Sequence, residues 1–514
     1  MFERQLSRRE FVTTSSAAAM GALIVPRHVL GGPGYRAPSD TVNVAVIGMG
    51  QQGTENMESL IEHGANLVAV ADVDFGFVER TVVKKKTDND NKERALGVKL
   101  NEQFGRAVRY ADFRELLEKE KDVDAVVIAT PDHLHAIIAK TALQLGKHVY
   151  LQKPLTYTVR EARVLRHAAH QARVVTQMGN QGHSSKEARL INEWIQSGVI
   201  GPVTEVNIWT NRPIWPQGLA RPALPASPPQ TSQPPAAPSW NRGAISTRTA
   251  AALYGDYPVP DGMNWQLYLG PVPEDIPYHP IYHPFNWRGW VPFGVGALGD
   301  MGAHLVDHPY WALRLGYPTT IEATSTPWGG PRGNPASYPI AMTAHYEFPA
   351  RGAQPPVVLH WYDGGLMPKR PPQLPDTVQL NGEGGVIYIG ERGILMHETY
   401  GRNPKVYPES LMPAVADAPA APSAPAAAAT PAQPAPRPEG AHFRNFLNAI
   451  AGTEQAASPF DYAAPLTEVM LLGIAALRAG QGKKLTYDSE AMQFTNAPDA
   501  NQYLTREYRP GWEV

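Results

Sequence analysis

The chain has 514 residues, 43% of them hydrophobic, enough for two or more domains and a sizeable core. Its 46 basic and 48 acidic side chains leave a formal charge of -2, which argues against a nucleic-acid scaffold or a basic membrane-surface protein. The absence of cysteine excludes disulfides, thiol nucleophiles and thiolate metal sites.

In chain order, the first element is an address. Arg8 and Arg9 precede a weakly apolar run over residues 12–25 that is rich in Ala, Ser and Thr. A charged start and a short apolar stretch mark a signal peptide, too short to span a bilayer. The paired arginines predict the twin-arginine type, whose export machinery carries folded proteins. Residues 1–35 are therefore set apart from the fold. No good A-x-A cleavage site precedes Asp40, which leaves an uncut form open.

From residue 41 to 178 strands and helices alternate. Strands are predicted at "VNVAVIG", "NLVAVADVD", "AVRYAD", "DVDAVVIATP", "KHVYLQKP" and "RVVTQMG". Helices are predicted at "QQGTENMESLIEHG", at "DFRELLEKE" capped by Asp112, at "DHLHAIIAKTALQLG" and at "TVREARVLRHAAHQA". Strands without polar alternation, separated by helices, indicate a doubly wound parallel sheet. The first strand runs into Gly48-Met49-Gly50-Gln51-Gln52-Gly53, and Asp72 closes the second strand. In a G-x-G-x-x-G turn the first glycine permits the tight bend. The second admits a pyrophosphate, and the third lets helix and strand pack closely. The helix N-terminus favours phosphate charge. Asp72 can accept hydrogen bonds from ribose hydroxyls and would repel a 2′-phosphate, so NAD is expected rather than NADP.

Residues 179–514 read as a second, α+β domain. Proline-rich insertions fall near residues 217–245 and 412–440, the latter Ala/Pro low complexity. "DMGAHLVDHPYWALRLG" is predicted as a helix starting at Met301 with Asp300 as its N-cap. "YPIAMTAHYEF", "PVVLHWYD" and "TVQLNGEGGVIYIGERGILMH" read as antiparallel strands of a large open sheet, and "EVMLLGIAALRAG" as a helix packed on it.

Three motifs, in this order, resemble the glucose–fructose oxidoreductase/inositol dehydrogenase/MocA-like oxidoreductases. They are Thr130-Pro131-Asp132-His133-Leu134-His135, "VYLQKPLT", and "GALGDMGAHLVDH". The likeness is good over residues 41–316 and loose beyond. It implies a Rossmann domain followed by an α+β domain with a large, mostly antiparallel sheet, NAD(P) as cofactor, and sugars or cyclitols as substrates. Thr130, Pro131, His133, His135, Gln152 and Lys153 are then expected beside the cofactor, with Gln152 standing where the family has glutamate. Thr130 and Lys153 also follow the fourth and fifth strands, at the carboxyl edge where α/β sheets bind ligands.

Lys153, His304 and Asp300 are the expected catalytic residues. Oxidation of an alcohol needs a base, which suits His304, and Lys153 can stabilise the oxygen. Asp300, four residues before His304, can orient the imidazole or bind a hydroxyl. Expected substrate contacts are Asn180, His183, Arg212, Trp265, Arg288 and His308, with a structural role favoured for Asp307 and His308. Gln181, Trp209, Asn211, Trp215, Trp287 and Trp290 are wider candidates, only a minority of which should touch substrate. No metal is expected, because hydride transfer needs none.

The resulting expectation is an exported NAD-dependent oxidoreductase, holding its cofactor tightly and acting on a sugar, glycoside or cyclitol hydroxyl. A homo-oligomer without nucleic-acid partners is also expected. Two alternatives stand beside it: a redox-neutral NAD-dependent glycoside hydrolase, and a cofactor-loaded binding protein without turnover.

Overall fold

The structure, a computed structural model, describes residues 41–224, 242–331, 333–413 and 440–514. The expected signal at 1–35 and most of the two proline-rich stretches lie outside the described residues.

The first layer contains β1 (Asn43–Ile47), α1 (Gln51–Glu62), β2 (Asn66–Ala71), α2 (Phe75–Lys84), α3 (Ala95–Arg106), β3 (Val108–Tyr110), α4 (Phe113–Lys119), β4 (Ala125–Ile128), α5 (His135–Gln144), β5 (His148–Leu151), α6 (Val159–Ala172) and β6 (Thr176–Met178). The strands form one parallel sheet in the order β3-β2-β1-β4-β5-β6. All six lie where the apolar runs place them, and β4 is buried along its whole length. Asp112 caps α4 by accepting the N–H of Arg114. Thr158 and Glu161 form a reciprocal capping box at the start of α6. Helices α2 and α3 occupy a stretch for which the sequence predicted no element. Their apolar positions are sparse, but Val78, Val82, Leu100 and Phe104 all reach the core under β2.

The second layer contains α7 (Lys186–Gln196), β7 (Val203–Thr210), α8 (Arg242–Leu253), α9 (Trp265–Leu269), α10 (Gly296–Leu305), α11 (Asp307–Ala312), β8 (Thr320–Ser325), β9 (Met342–Phe348), β10 (Val357–Tyr362), β11 (Gly384–Gly390), β12 (Ile394–Glu398) and β13 (Lys405–Tyr407). After the second proline-rich stretch come α12 (Gly440–Ile450), α13 (Phe460–Ala479), β14 (Leu485–Asp488) and β15 (Gln493–Phe494). Among the described residues nine strands pair in the order β13-β12-β11-β7-β10-β9-β8-β14-β15. All neighbours are antiparallel except β7 and β10. The fold is thus a Rossmann-like parallel sheet followed by a larger, mostly antiparallel one.

One face of the large sheet presents Val206, Leu359, Trp361, Tyr346 and Ile321 to the same core that receives Leu466, Met470 and Ile474 of α13. That helix begins at Phe460, earlier than expected, and packs on α6 and α10 as well as on the sheet. Residues 377–380 are not a strand. Val378 and Leu380 instead cover the opposite face, against Trp209 and Ile387. Strands β7 and β8 were not foreseen. Helix α12 returns the chain to the first sheet, where Phe443 stacks on Tyr150 of β5 with ring centroids 4.9 Å apart.

Candidate functional site

The glycine turn follows β1, beside β4, at the point where the strand order reverses. Gly48 has φ +82°, and a Cβ there would lie 2.8 Å from the backbone of Ala129 and Thr130. A Cβ on Gly53 would come within 2.1 Å of the Gly48 carbonyl oxygen. Both positions therefore admit only glycine. Gly50 precedes α1, whose first N–H groups have no intrahelical partner and no side-chain cap.

A cleft of about 400 Å³ opens along this edge. Its floor is Gly48, Gly50, Gln51, Gln52, Asp72, Thr130 and Pro131. Thr130 Oγ1 is buried there without a hydrogen-bond partner among the described residues. The roof comes from much later in the chain and includes Tyr268, His283, Phe285, Trp287, Arg288 and Trp512. Three contacts tie roof to floor at the end of β2. Asn264 N–H donates to the Val73 carbonyl at 2.8 Å, Met263 bridges to Asp74, and His283 Nε2 lies 3.0 Å from Asp74 Oδ2.

Asp72 accepts the N–H groups of Met49 at 2.8 Å and Asp74 at 2.9 Å. Burial nevertheless pushes its carboxyl up to about 6, against those hydrogen bonds and the charge of His283. Asp72 thus shapes the turn as well as lining the cleft. His133 and His135 do not line it, which corrects the expected cofactor contact. His133 sits between the carbonyls of Phe293 and Tyr268 at 3.1 and 2.8 Å. His135 joins Pro154 O to Thr130 O at 2.8 and 3.0 Å, bracing the two loops that follow β4 and β5.

A second cavity of about 400 Å³ shares Gln52 and Glu55 with the cleft. Gln152, Lys153, Gln181, Gly182, Ser185, Glu187, His304, Tyr400, Arg402 and Asn403 complete its wall. Lys153 Nζ donates to Asp300 Oδ1 at 2.8 Å and to the Asp300 carbonyl at 2.9 Å. Arg288 Nε reaches the same Oδ1 at 3.2 Å. Burial alone would raise the Asp300 carboxyl, but Lys153 and then Arg288 hold it well below the usual carboxylate range. Nearby, burial pushes Asp132 up to about 7 despite the charge of Arg288.

Asp300 lies inside α10, which begins at Gly296, and is therefore not an N-cap. It holds the lysine and the arginine rather than the imidazole. Burial, then the charge of Lys153, lowers His304 well below the ordinary histidine value. Its ring is held neutral, with Nδ1 unpartnered among the described residues. Gln152 fixes Asn56 Oδ1 at 3.2 Å.

The expected substrate residues divide. Gln181 lines the second cavity, while Arg288 and Trp287 line the cleft. His183 does not reach the cavity, because its Nδ1 is 2.9 Å from Asp307 and its ring stacks on Trp311. Asn180 and His308 are fully buried behind the same loop. Arg212 donates to Asn211 Oδ1 at 2.6 Å away from both cavities. Trp265 stacks on Tyr268 at 4.7 Å within an aromatic core. Trp209, Trp215 and Trp290 are likewise buried. Sequence reasoning missed Tyr400, Arg402, Asn403 and Glu187, and of the roof Tyr268, Phe285 and Trp512 and the part played by His283. These carry no motif and lie far in sequence from the glycine turn.

Residues 42–180 match the Gfo/Idh/MocA oxidoreductase family, described as having an NAD-binding Rossmann fold. A glycosyl hydrolase family 109 protein of Shewanella pealeana is 26% identical over 213 residues, 38% of this chain and 44% of that protein. Inositol 2-dehydrogenase 1 of Saccharopolyspora erythraea is 32% identical over 142 residues, 27% of this chain and 36% of that protein. The match thus spans less than half the length of either curated relative. Among solved structures, the WlbA dehydrogenase from Bordetella pertussis, in complex with NADH and UDP-GlcNAcA, aligns with TM-score 0.52 at 14% identity. That alignment covers 87% of this chain and 99% of the other, and it shows a shared fold.

Proposed function

We propose that the chain is an NAD-dependent oxidoreductase acting on a CH–OH group of a sugar, glycoside or cyclitol, exported by the twin-arginine route with its cofactor bound. The observation that carries this reading is the adjoining of two cavities. A glycine-floored cleft meets a polar cavity walled by Lys153 and His304 across Gln52 and Glu55. The residues fit a dinucleotide. Gly48 and Gly53 leave the backbone bare, Thr130 Oγ1 is an uncommitted buried hydroxyl, and Asp72 closes β2. Gly48, Gly50, Gln51 and Gln52 would hold the pyrophosphate, Asp72 the adenosine ribose, and Thr130 and Pro131 the nicotinamide half. NAD, when bound, accepts hydride from the substrate carbon. Lys153, oriented by Asp300, polarises the substrate oxygen, and the neutral His304 accepts the hydroxyl proton. Metal ions have no part in this reading, and the assembly is taken as a homo-oligomer.

The test is to denature protein recovered after export and identify the released nucleotide by mass. NAD in near-stoichiometric amount is expected. Protein that carries no dinucleotide, and takes up neither NAD nor NADP, would sink the reading. The roof supplies a further expectation. His283→Ala removes one of three ties across the cleft, a charge-assisted contact whose loss should speed nucleotide release by about tenfold or more. Exchange of bound NAD against excess labelled NAD measures this, and an unchanged rate would show that the tie does not gate release.

A second reading is favoured by the likeness to the family 109 hydrolase. Here the same site would oxidise, eliminate, hydrate and reduce, hydrolysing a glycoside without net redox change. Incubation with aryl glycosides and no added acceptor separates the two. Free aglycone with no net NADH would favour hydrolysis.

A further inference from the structure

The turn after β12 brings one aromatic ring, that of Tyr400, into the polar cavity. Tyr400 has φ +66° and ψ 16°, a left-handed conformation that glycine and asparagine adopt readily and tyrosine does not. Its neighbours Gly401 and Asn403 are also left-handed, at φ +78° and +51°. The turn is held by hydrogen bonds of its own and by one close neighbour. Glu398 N–H donates to the Arg402 carbonyl at 2.8 Å, and Asn403 Nδ2 donates to Glu398 Oε2 at 3.0 Å. Gly182 packs so closely that a Cβ there would sit 3.1 Å from Tyr400 Cα. A residue kept in a strained conformation by such surroundings points to a functional ring rather than a packing one, since an unstrained residue would serve packing.

The ring stands beside the chemistry. Its centroid is 4.6 Å from that of His304, and the Arg402 guanidinium lies over the ring, 5.1 Å from its centroid. Among the described residues Tyr400 is the only Tyr, Phe or Trp lining this cavity, whose other residues are mostly polar or charged. A pyranose or cyclitol ring has one face of C–H groups and a rim of hydroxyls. A single aromatic face within a polar wall matches that distribution. An acyclic polyol has no comparable flat face.

We propose that Tyr400 is a substrate-binding residue whose ring forms the stacking face for a cyclic polyol, selecting rings over open chains; this rests on the oxidoreductase reading above. The test uses the full-length, NAD-loaded protein with myo-inositol, D-glucose and methyl β-D-glucopyranoside as ring probes and sorbitol as the open-chain probe. Tyr400→Asn keeps the left-handed turn and removes the ring. It should raise KM for the best ring probe about tenfold, with kcat held within about threefold and the preference over sorbitol lost. Melting temperature and bound nucleotide should stay near wild type. Tyr400→Phe, which restores a ring, should recover the ring preference. An Asn variant with unchanged KM would overturn the proposal, as would wild-type protein that turns over none of the three ring probes. So would loss of fold and nucleotide in both Tyr400→Asn and Tyr400→Gly, which would make the ring structural. Protein without any dinucleotide is a different result, because it defeats the parent reading.

Discussion

Lys153→Ala is expected to lower kcat by about 10²- to 10⁴-fold, the usual range for removing a positioned proton-transfer or charge-stabilising group. Bound nucleotide should remain near the wild-type amount, because Lys153 lines the second cavity and not the glycine-floored cleft. The size of the effect follows from how the ammonium is held. Two oxygens of Asp300 fix Nζ at 2.8 and 2.9 Å, so a defined donor is presented to the substrate rather than a mobile chain. Arginine is not a substitute, since a planar fork cannot occupy the place of a point charge. Asp300→Asn should lower kcat in the same direction by freeing the lysine while Arg288 remains. Steady-state kinetics with nucleotide content measured on the same samples gives the answer. A Lys153→Ala enzyme with wild-type kcat would remove this residue from the chemistry.

Acidification is expected to destabilise the folded protein well before ordinary carboxylates protonate. Burial pushes His133 down to about 3 and His135, His308 and His442 down to about 4. His304 and His397 move the same way. Between those values and the unfolded 6.5, the unfolded chain binds protons that the native state refuses, so stability falls as pH falls. Three buried carboxyls act oppositely. Asp72, Asp132 and Asp363 are pushed up to about 6, 7 and 7, so their stabilisation is present at low pH and lost as pH rises through those values. The histidines outnumber them. Unfolding near pH 5.5 should therefore take up at least about one net proton, or roughly 1 kcal/mol or more per pH unit. Urea unfolding at about pH 5 and about pH 7 should give a lower midpoint at the acid value with little change in slope. Equal midpoints would mean that these rings are not buried neutral in solution.

Local pattern was enough for the first sheet. Continuous apolar runs such as Ala125–Ile128, buried at every residue, short and set between helical segments, fit central parallel strands. The glycine turn was legible because its geometry is local, and Gly48 and Gly53 each have a backbone neighbour that forbids a Cβ. Lys153 and His304 were legible through their motifs. The sequence reading failed where a side chain's task depends on what folds against it. His133, His135 and His183 look like ligand-facing histidines in the chain, yet each is held by a carbonyl or a carboxylate from elsewhere. Trp265 reads as a sugar platform and proves to be an aromatic core residue.

The amino-acid sequence by itself determined the Rossmann layer, its glycine turn and the placing of Lys153 just past β5, because these depend on spacings within a few residues. Only the tertiary structure decided which residues close the cleft and line the second cavity. His283 and Trp512 over the glycine floor of the cleft, Arg288 on Asp300, and Tyr400 beside His304 come from segments separated by tens to hundreds of residues. Such meetings are set by how two sheets and their connecting loops pack, a long-range outcome that leaves no periodicity in the chain.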